Sequence, residues 1–144
     1  MKLDDRLYGE VEDSCANCGA RDRQVLTIHH IDADRSNNSY DNQIVLCHNC
    51  HTRYHQDKGL SYDQICDRKR RLIAKTLTTY GLNALKIADR NGKGVMAMPF
   101  LLFHLVDLGF MRKEEVQMTT DDDIEVSVKF SITDDGQALL RKWF

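Results

Sequence analysis

The stretch HHIDADRSNNSYDNQIVLCHNCHTRYH, from His29 to His55, holds five of the six histidines and two of the five cysteines of this 144-residue chain. It starts inside RQVLTIHHID, an alternating β-branched and apolar run that predicts a strand, and it continues into RSNNSYDN, which predicts a loop. QIVL predicts a second strand or the entry to a metal knuckle, and CHTRYHQDKG predicts a helix that ends at Gly59. The expected order is therefore strand, loop, strand or turn, and helix.

Two Cys-x-x-Cys pairs frame this region, Cys15 with Cys18 and Cys47 with Cys50. Four thiolates at this spacing predict a closed, tetrahedral structural zinc site that leaves no coordination position open for catalysis. Four free core cysteines are the alternative, which such regular pairing disfavours. Cys66 has no partner at this spacing and is expected to be a small buried apolar side chain.

The histidines need a different explanation, because the cysteines already complete one metal site. His51 and His55 are one helical turn apart, so their side chains point the same way and can share an ion. His29 and His30 are neighbours on a strand, so their side chains face opposite sides. One of these two can bind a metal while the other does chemistry.

Taken together, these residues resemble the HNH endonuclease family over about Cys15 to Lys58. The resemblance lies in HHI at His29, in DN before an apolar run at Asn42, in LCxxCH ending at His51, and in the histidine four residues later. It implies a β-hairpin and a helix around one divalent ion, which is the ββα-metal fold.

The resemblance also implies a role for each matching residue. His30 corresponds to the general base that takes a proton from the attacking water, and Asn42 to the catalytic-site residue that holds the loop and orients this base. His29 and His51 correspond to metal ligands, and His55 to a third ligand of the colicin-like branch, with a phosphate contact as its alternative role. Magnesium, manganese, nickel and zinc can each bind such a site, and Mg²⁺ or Mn²⁺ is expected in use.

Several other polar residues are expected to lie outside the site. His48, inside the second knuckle, is predicted to be a solvated turn residue or to hydrogen-bond a ligand. His104 is predicted to be a core or interface histidine on an apolar helix. Asp32 and Asp34 are assigned to turns rather than to the metal.

Basic charge is concentrated in the middle of the chain. Residues 60–95 carry 8 basic and 3 acidic side chains, whereas residues 1–59 carry 7 and 10 and residues 96–144 carry 5 and 9. The RKRR run on a predicted helix therefore indicates phosphate contacts, with a solvated helix face as the alternative. The predicted nucleic-acid contacts are Arg53, Lys58, Arg68, Lys69, Arg70 and Arg71.

The composition, 42% hydrophobic and 29% charged, is that of a globular chain, and its expected class is α+β. We predict a zinc-stabilised HNH nuclease domain over residues 1–59, a basic helical linker over 60–81 and a small α+β domain over 82–144. This last domain is similar to winged-helix domains, because ITDDGQALL leads from two alternating strands into a final helix. It has one apolar helix where two are expected and is net acidic, so a homodimer contact or protein docking is its alternative role.

The expected function is a metal-dependent DNA endonuclease that cuts or nicks phosphodiester bonds by a one-metal mechanism, with structural Zn²⁺ and a catalytic Mg²⁺ or Mn²⁺. The alternative is a non-catalytic zinc protein that binds nucleic acid or regulates; RNA is a less favoured substrate. A structural zinc alone would need none of His29, His30, Asn42 and His51, so their joint presence favours the enzyme. The chain has no apolar run of about 18 residues and no signal peptide, so we expect a cytoplasmic protein, bacterial or phage-encoded, that uses no membrane.

Overall fold

The computed structural model describes residues 2–144, which fold into two compact units. The first unit ends at Thr76 and the second begins at Leu77. Helices and strands occur in both units, so the expected α+β class is confirmed. Among residues 2–144, no helix combines the length and the apolar character needed to cross a bilayer.

The first unit is built on a two-stranded antiparallel hairpin followed by a helix. Its elements are α1 (Leu3–Glu10), a 3-10 turn (Arg23–Val25), β1 (Leu26–His30), a 3-10 turn (Tyr40–Asn42), β2 (Gln43–Cys47), α2 (His48–His55) and the first part of α3 (Tyr62–Asn91). Leu26 lies opposite Cys47 and His30 lies opposite Gln43. The predicted strand, loop, strand and helix are all present, and QIVL is a strand.

The start and end of α2 differ from the prediction. The Cys47 side chain accepts a hydrogen bond from the Cys50 backbone N–H, so Cys47 is the N-cap and the helix starts inside the knuckle. The helix ends at His55, and Gln56 closes it through a backbone bond to Thr52. Gly59 lies beyond this end, with a φ of +81°, and is therefore not the helix cap.

Every residue of β2 is buried, which explains why QIVLC does not alternate between apolar and polar residues. Ile44, Val45 and Leu46 are each 0% exposed. A strand that is covered on both faces has apolar residues on both of them. The helix α1, which the sequence pattern did not indicate, adds the fully buried Leu7 to the same core.

A buried ion pair joins α1 to α3. Lys69 Nζ lies 2.6 Å from Glu10 Oε1, and the two side chains are 0% and 1% exposed. The Tyr40 hydroxyl donates to Glu10 Oε2 at 2.6 Å, and Lys69 Nζ lies 4.0 Å from the Tyr40 ring centroid. Burial lowers the pKa of Lys69, and the Glu10 carboxylate opposes that effect. The prediction that Lys69 contacts DNA is therefore wrong, because its ammonium group is enclosed and already paired.

Replacement of Lys69 by methionine is expected to lower the free energy of unfolding of the first unit by about 3–5 kcal/mol, because it leaves a buried carboxylate without its cation. Lys75→Met is the matched control on the same helix, since Lys75 pairs with Glu12 at 2.8 Å where both side chains are more than half exposed. Hydrogen exchange of the β1 and β2 amides measures both effects. Equal, small losses in the two variants would contradict the importance of the buried pair.

The helix α3 is interrupted at Thr78, whose φ of 62° and ψ of 164° are not helical. The sequence predicted the interruption at Gly81, which instead lies within the helix. A Cβ at Gly81 would come within 3.0 Å of His104 Nε2, so the glycine makes room for this ring. The His104 Nε2–H donates to the carbonyl of Leu77 at 2.8 Å, which satisfies an acceptor beside the interruption. His104 thus has the structural role that was predicted for it.

The second unit contains a three-stranded antiparallel sheet in the order β3, β5, β4. Its further elements are β3 (Val95–Ala97), α4 (Pro99–Asp107), β4 (Met111–Thr119), β5 (Glu125–Ile132) and α5 (Asp134–Trp143). Proline begins α4 as predicted, and Thr133 caps α5 by accepting from the N–H of Gly136. Only β3 has no counterpart in the sequence predictions. The likeness to winged-helix domains stays a prediction.

Candidate metal centre

The four cysteines of the two knuckles meet at one point of the first unit. The sulfur atoms of Cys15, Cys18, Cys47 and Cys50 all lie within 4.8 Å of one another, and Cys18 Sγ is 3.7 Å from Cys47 Sγ. Sulfur atoms bound tetrahedrally to zinc at about 2.3 Å would be about 3.8 Å apart. The spacing of these four side chains therefore fits a zinc ion.

The surroundings of the sulfur atoms also favour a metal. Burial raises the pKa of Cys50 to about 12, although Asn17 Nδ2 donates to its sulfur at 3.2 Å. Burial would raise the pKa of Cys15 as well, but backbone N–H groups, including those of Cys18 and Cys47, lower it to about 7. Four thiolates this close together repel one another unless a cation lies between them. A zinc ion supplies that charge.

Three histidines form a second cluster between β1 and α2. The ligand nitrogens of His29, His51 and His55 lie within 4.8 Å of one another, and the Nε2 atoms of His51 and His55 are 3.2 Å apart. Two imidazole nitrogens bound to one ion at about 2.0–2.1 Å lie about 2.9–3.4 Å apart, depending on the geometry. The three side chains are thus placed as ligands of one ion.

His29 is the buried member of this cluster. Its ring is 4% exposed, and its Nε2 atom is buried without a hydrogen-bond partner among the described residues. The ring of Tyr54 packs against it edge-on at 4.7 Å. Burial, followed by the charges of His51 and His55, lowers the pKa of His29 to about 4. The ring is therefore neutral near pH 7, which is the form that binds metals, and an ion would satisfy Nε2.

His30 points away from this cluster, as expected for the next residue of a strand. Its Nε2 lies 2.9 Å from Asn38 Oδ1 and 3.0 Å from Gln43 Nε2. Gln43 is its direct partner on β2, and Asn38 belongs to the loop between the strands. The half-buried ring remains separate from the metal ligands. The motif analysis assigned no role to either partner.

Asn42 is fully buried and holds the loop between β1 and β2 rather than touching His30. Its Oδ1 accepts from the Asp32 N–H at 3.1 Å, and its Nδ2 donates to Asp32 Oδ1 at 2.8 Å and to the Asn37 carbonyl at 2.9 Å. Asp32 Oδ1 also accepts from the Asp34 N–H, so both aspartates belong to turns of this loop. Any effect of Asn42 on His30 therefore passes through the loop.

The predicted DNA contacts lie in different environments. Arg53 Nε donates to the Lys58 carbonyl at 3.0 Å, so this side chain folds over the turn that follows α2. Arg71 forms an exposed ion pair with Asp67 at 2.9 Å, and Arg68 is half-buried. The exposed members of the predicted set are Arg53, Lys58, Arg70 and Arg71. Arg35, which the motif analysis passed over, is close enough for its charge to contribute to lowering the pKa of His51, after burial and the neighbouring His55 and His48.

Residues 15–57 match the family model of the HNH endonucleases. Comparison with curated proteins and with solved structures gives no match. The matched segment contains all four clustered cysteines, the three clustered histidines and His30. The resemblance of this segment to the HNH endonucleases is confirmed.

Proposed function

Because residues 15–57 form an HNH domain, we propose that this protein is a metal-dependent endonuclease that hydrolyses phosphodiester bonds in DNA. The observation that carries the proposal is the buried, unpartnered Nε2 of His29 beside His51 and His55. A structural zinc protein gains nothing from such a group, because an unsatisfied buried polar atom costs about 1–3 kcal/mol. An ion-binding enzyme needs it.

His29 and His51 would hold the catalytic ion, with His55 as the third ligand. A bound divalent ion would stabilise the negative charge that grows on the phosphate and on the leaving oxygen. Mg²⁺ or Mn²⁺ is the proposed ion in use, although imidazole ligands also accept nickel and zinc. Tyr54 and the burial of His29 keep the ligands in place before the ion binds.

His30 would act as the general base from the opposite side of β1. The oxygen of a water molecule attacks the phosphorus, and the proton of this water passes to the His30 ring. The bond from phosphorus to the leaving sugar oxygen breaks, and solvent supplies the proton that this oxygen gains. Exposed Arg70 and Arg71 would contact the flanking phosphates without reading the sequence.

A single site of this kind cuts one strand, so nicking is the proposed elementary event. A double-strand break needs a second event or a second copy of the chain. We propose the second unit as the region of a homodimer contact. The large apolar side chains of Tyr80 and Phe100, which are 71% and 72% exposed, support this choice.

The test is the conversion of supercoiled plasmid to the open-circular form. We expect cleavage with Mn²⁺ or Mg²⁺, none in the presence of a chelator, and a loss of more than about 100-fold in His51→Ala, because the substitution removes a ligand of the ion. His48→Ala is the matched control, since His48 is an exposed histidine of the same helix that lies outside the cluster.

Cleavage by neither protein with Mg²⁺, Mn²⁺, Ni²⁺ or Zn²⁺ would contradict the proposal. If a folded, zinc-loaded protein bound DNA but did not cut it, the non-catalytic alternative would be supported. Equal rates for His51→Ala and His48→Ala would show that the histidine cluster does not hold the catalytic ion.

A further inference from the structure

Two side chains outside the HNH pattern hold the ring of His30, and both of their contacts end on the same nitrogen. Asn38 Oδ1 is 2.9 Å and Gln43 Nε2 is 3.0 Å from His30 Nε2, and these two partner atoms are 3.2 Å from each other. No described residue hydrogen-bonds the other ring nitrogen, Nδ1. It is therefore the nitrogen that is left for a water molecule.

Gln43 is an unusual residue for its position. It begins the fully buried strand β2, and only 5% of it is exposed. Its Nε2 donates to Asn38 Oδ1, while its own Oε1 is buried without a hydrogen-bond partner among residues 2–144. A buried amide with one unsatisfied group is costly, and a leucine would fill the same space without that cost. A polar contact to the loop and to His30 is what the glutamine adds.

The chemistry of imidazole decides what Asn38 contributes. A neutral ring can take up a proton at Nδ1 only when its other nitrogen, Nε2, already carries one. The Asn38 carbonyl oxygen is the acceptor that this Nε2–H needs, and it accepts in the same way after Nδ1 has gained its proton. An acceptor at Nε2 therefore fixes both the orientation of the ring and the position of its hydrogen.

The loop places Asn38 through Asn42. Asn42 Nδ2 donates to the carbonyl of Asn37, the residue directly before Asn38. Asn42 is 0% exposed, whereas the side chain of Asn38 lies in an exposed part of the loop. The buried asparagine thus fixes the backbone, and the exposed one contacts the ring.

We propose that Asn38 and Gln43 are positioning residues for His30. Asn38 accepts the hydrogen of His30 Nε2, Gln43 holds the Asn38 carbonyl in place, and Nδ1 takes the proton from the attacking water. This inference rests on the proposed nuclease function, which it deepens by assigning the proton-accepting atom. It also extends the role of Asn42, which reaches His30 through Asn38.

The test compares Asn38→Leu, which removes the acceptor, with Asn38→Asp, which keeps an acceptor oxygen. Zinc-loaded protein is used in the plasmid-nicking assay with Mn²⁺. We expect Asn38→Leu to lower kcat by about 10–100-fold with little change in KM, as is typical when the hydrogen-bond partner of a functional histidine is lost. Asn38→Asp should recover most of the rate, and Asn83→Leu, the same substitution at an exposed site of the second unit, should match wild type.

A second measurement does not depend on cleavage. Nitrogen-15 NMR of the histidine rings identifies the hydrogen-bearing nitrogen, and we expect Nε2–H for His30 in the wild type and a mixture of both forms in Asn38→Leu. A wild-type ring with its hydrogen on Nδ1, or a wild-type rate for Asn38→Leu beside an inactive His30→Ala, would overturn the positioning roles. If His30→Ala cut DNA at the wild-type rate, the proposed function itself would fail, whatever the NMR result.

Discussion

Replacement of His30 by alanine is expected to slow phosphodiester hydrolysis by about 10²–10⁴-fold while both metal clusters remain loaded, because general base catalysis contributes a factor of this size. His30 lies on the opposite side of β1 from His29, and its hydrogen bonds go to Asn38 and Gln43 only. Its loss therefore removes the proton acceptor and leaves the ion ligands His51 and His55 unchanged.

The measurement combines single-turnover nicking rates with the metal content of each protein. His30→Ala should bind as much zinc and as much manganese as the wild type, and its affinity for uncut DNA should be close to that of the wild type. Residual activity at the wild-type level, in protein freed of contaminating nucleases, would remove His30 from the mechanism. A variant that loses manganese would instead indicate that His30 belongs to the metal site.

Loss of the cysteine-bound zinc is expected to unfold the first unit. Zinc bound by peptides of the zinc-finger type contributes about 10–16 kcal/mol at pH 7, and a whole domain has a net stability of only about 5–15 kcal/mol. The four ligands connect the segment before β1 to the junction of β2 and α2. Cys50→Ser should therefore have a far larger effect than Cys66→Ser, because Cys66 lies outside the cluster.

Elemental analysis and hydrogen exchange test this expectation. Cys50→Ser should carry less zinc than the wild type, and the amides of β1 and β2 should lose their protection, whereas those of β5 in the second unit should keep theirs. Cys66→Ser should retain its zinc. Full protection of β1 and β2 in zinc-free protein would mean that the hydrophobic core around Ile44 and Leu46 suffices without the metal.

The hairpin, the helix and both clusters could be predicted because their signals are local. Strand periodicity, a loop rich in Asn and Ser, and ligand spacings of three and four residues each concern a few neighbouring positions. The family pattern added the order of the elements. The roles assigned to the histidines of the site stay predictions, although His29, His51 and His55 do lie together.

The buried pair of Lys69 and Glu10 was beyond the reach of local patterns, because its two members are 59 residues apart. The run RKRR indicated a solvated or DNA-facing surface. A signal was nevertheless present, since Lys69 lies four residues after Ile65 and four before Ile73, on the apolar face of the helix. A cation at that position needs a buried partner, which the sequence does not identify.

The partners of His30 illustrate a second limit. Gln43 is the one polar residue in the run QIVL, and this departure from an apolar strand could have been noticed. Its contact with His30 depends on the pairing register of β1 and β2, which the sequence pattern leaves open. Asn38 lies in a loop whose conformation depends on the buried Asn42.

Cys47 has two functions in this fold, since its sulfur belongs to the zinc cluster and also caps the helix that carries the ion-binding histidines. His51 directly follows another zinc ligand, Cys50. The two metal sites are therefore loaded in a fixed order, with zinc first and the catalytic ion second. A chain made in zinc-poor conditions cannot form the second site, whatever the supply of magnesium or manganese, so its cleavage of DNA depends on zinc availability through folding.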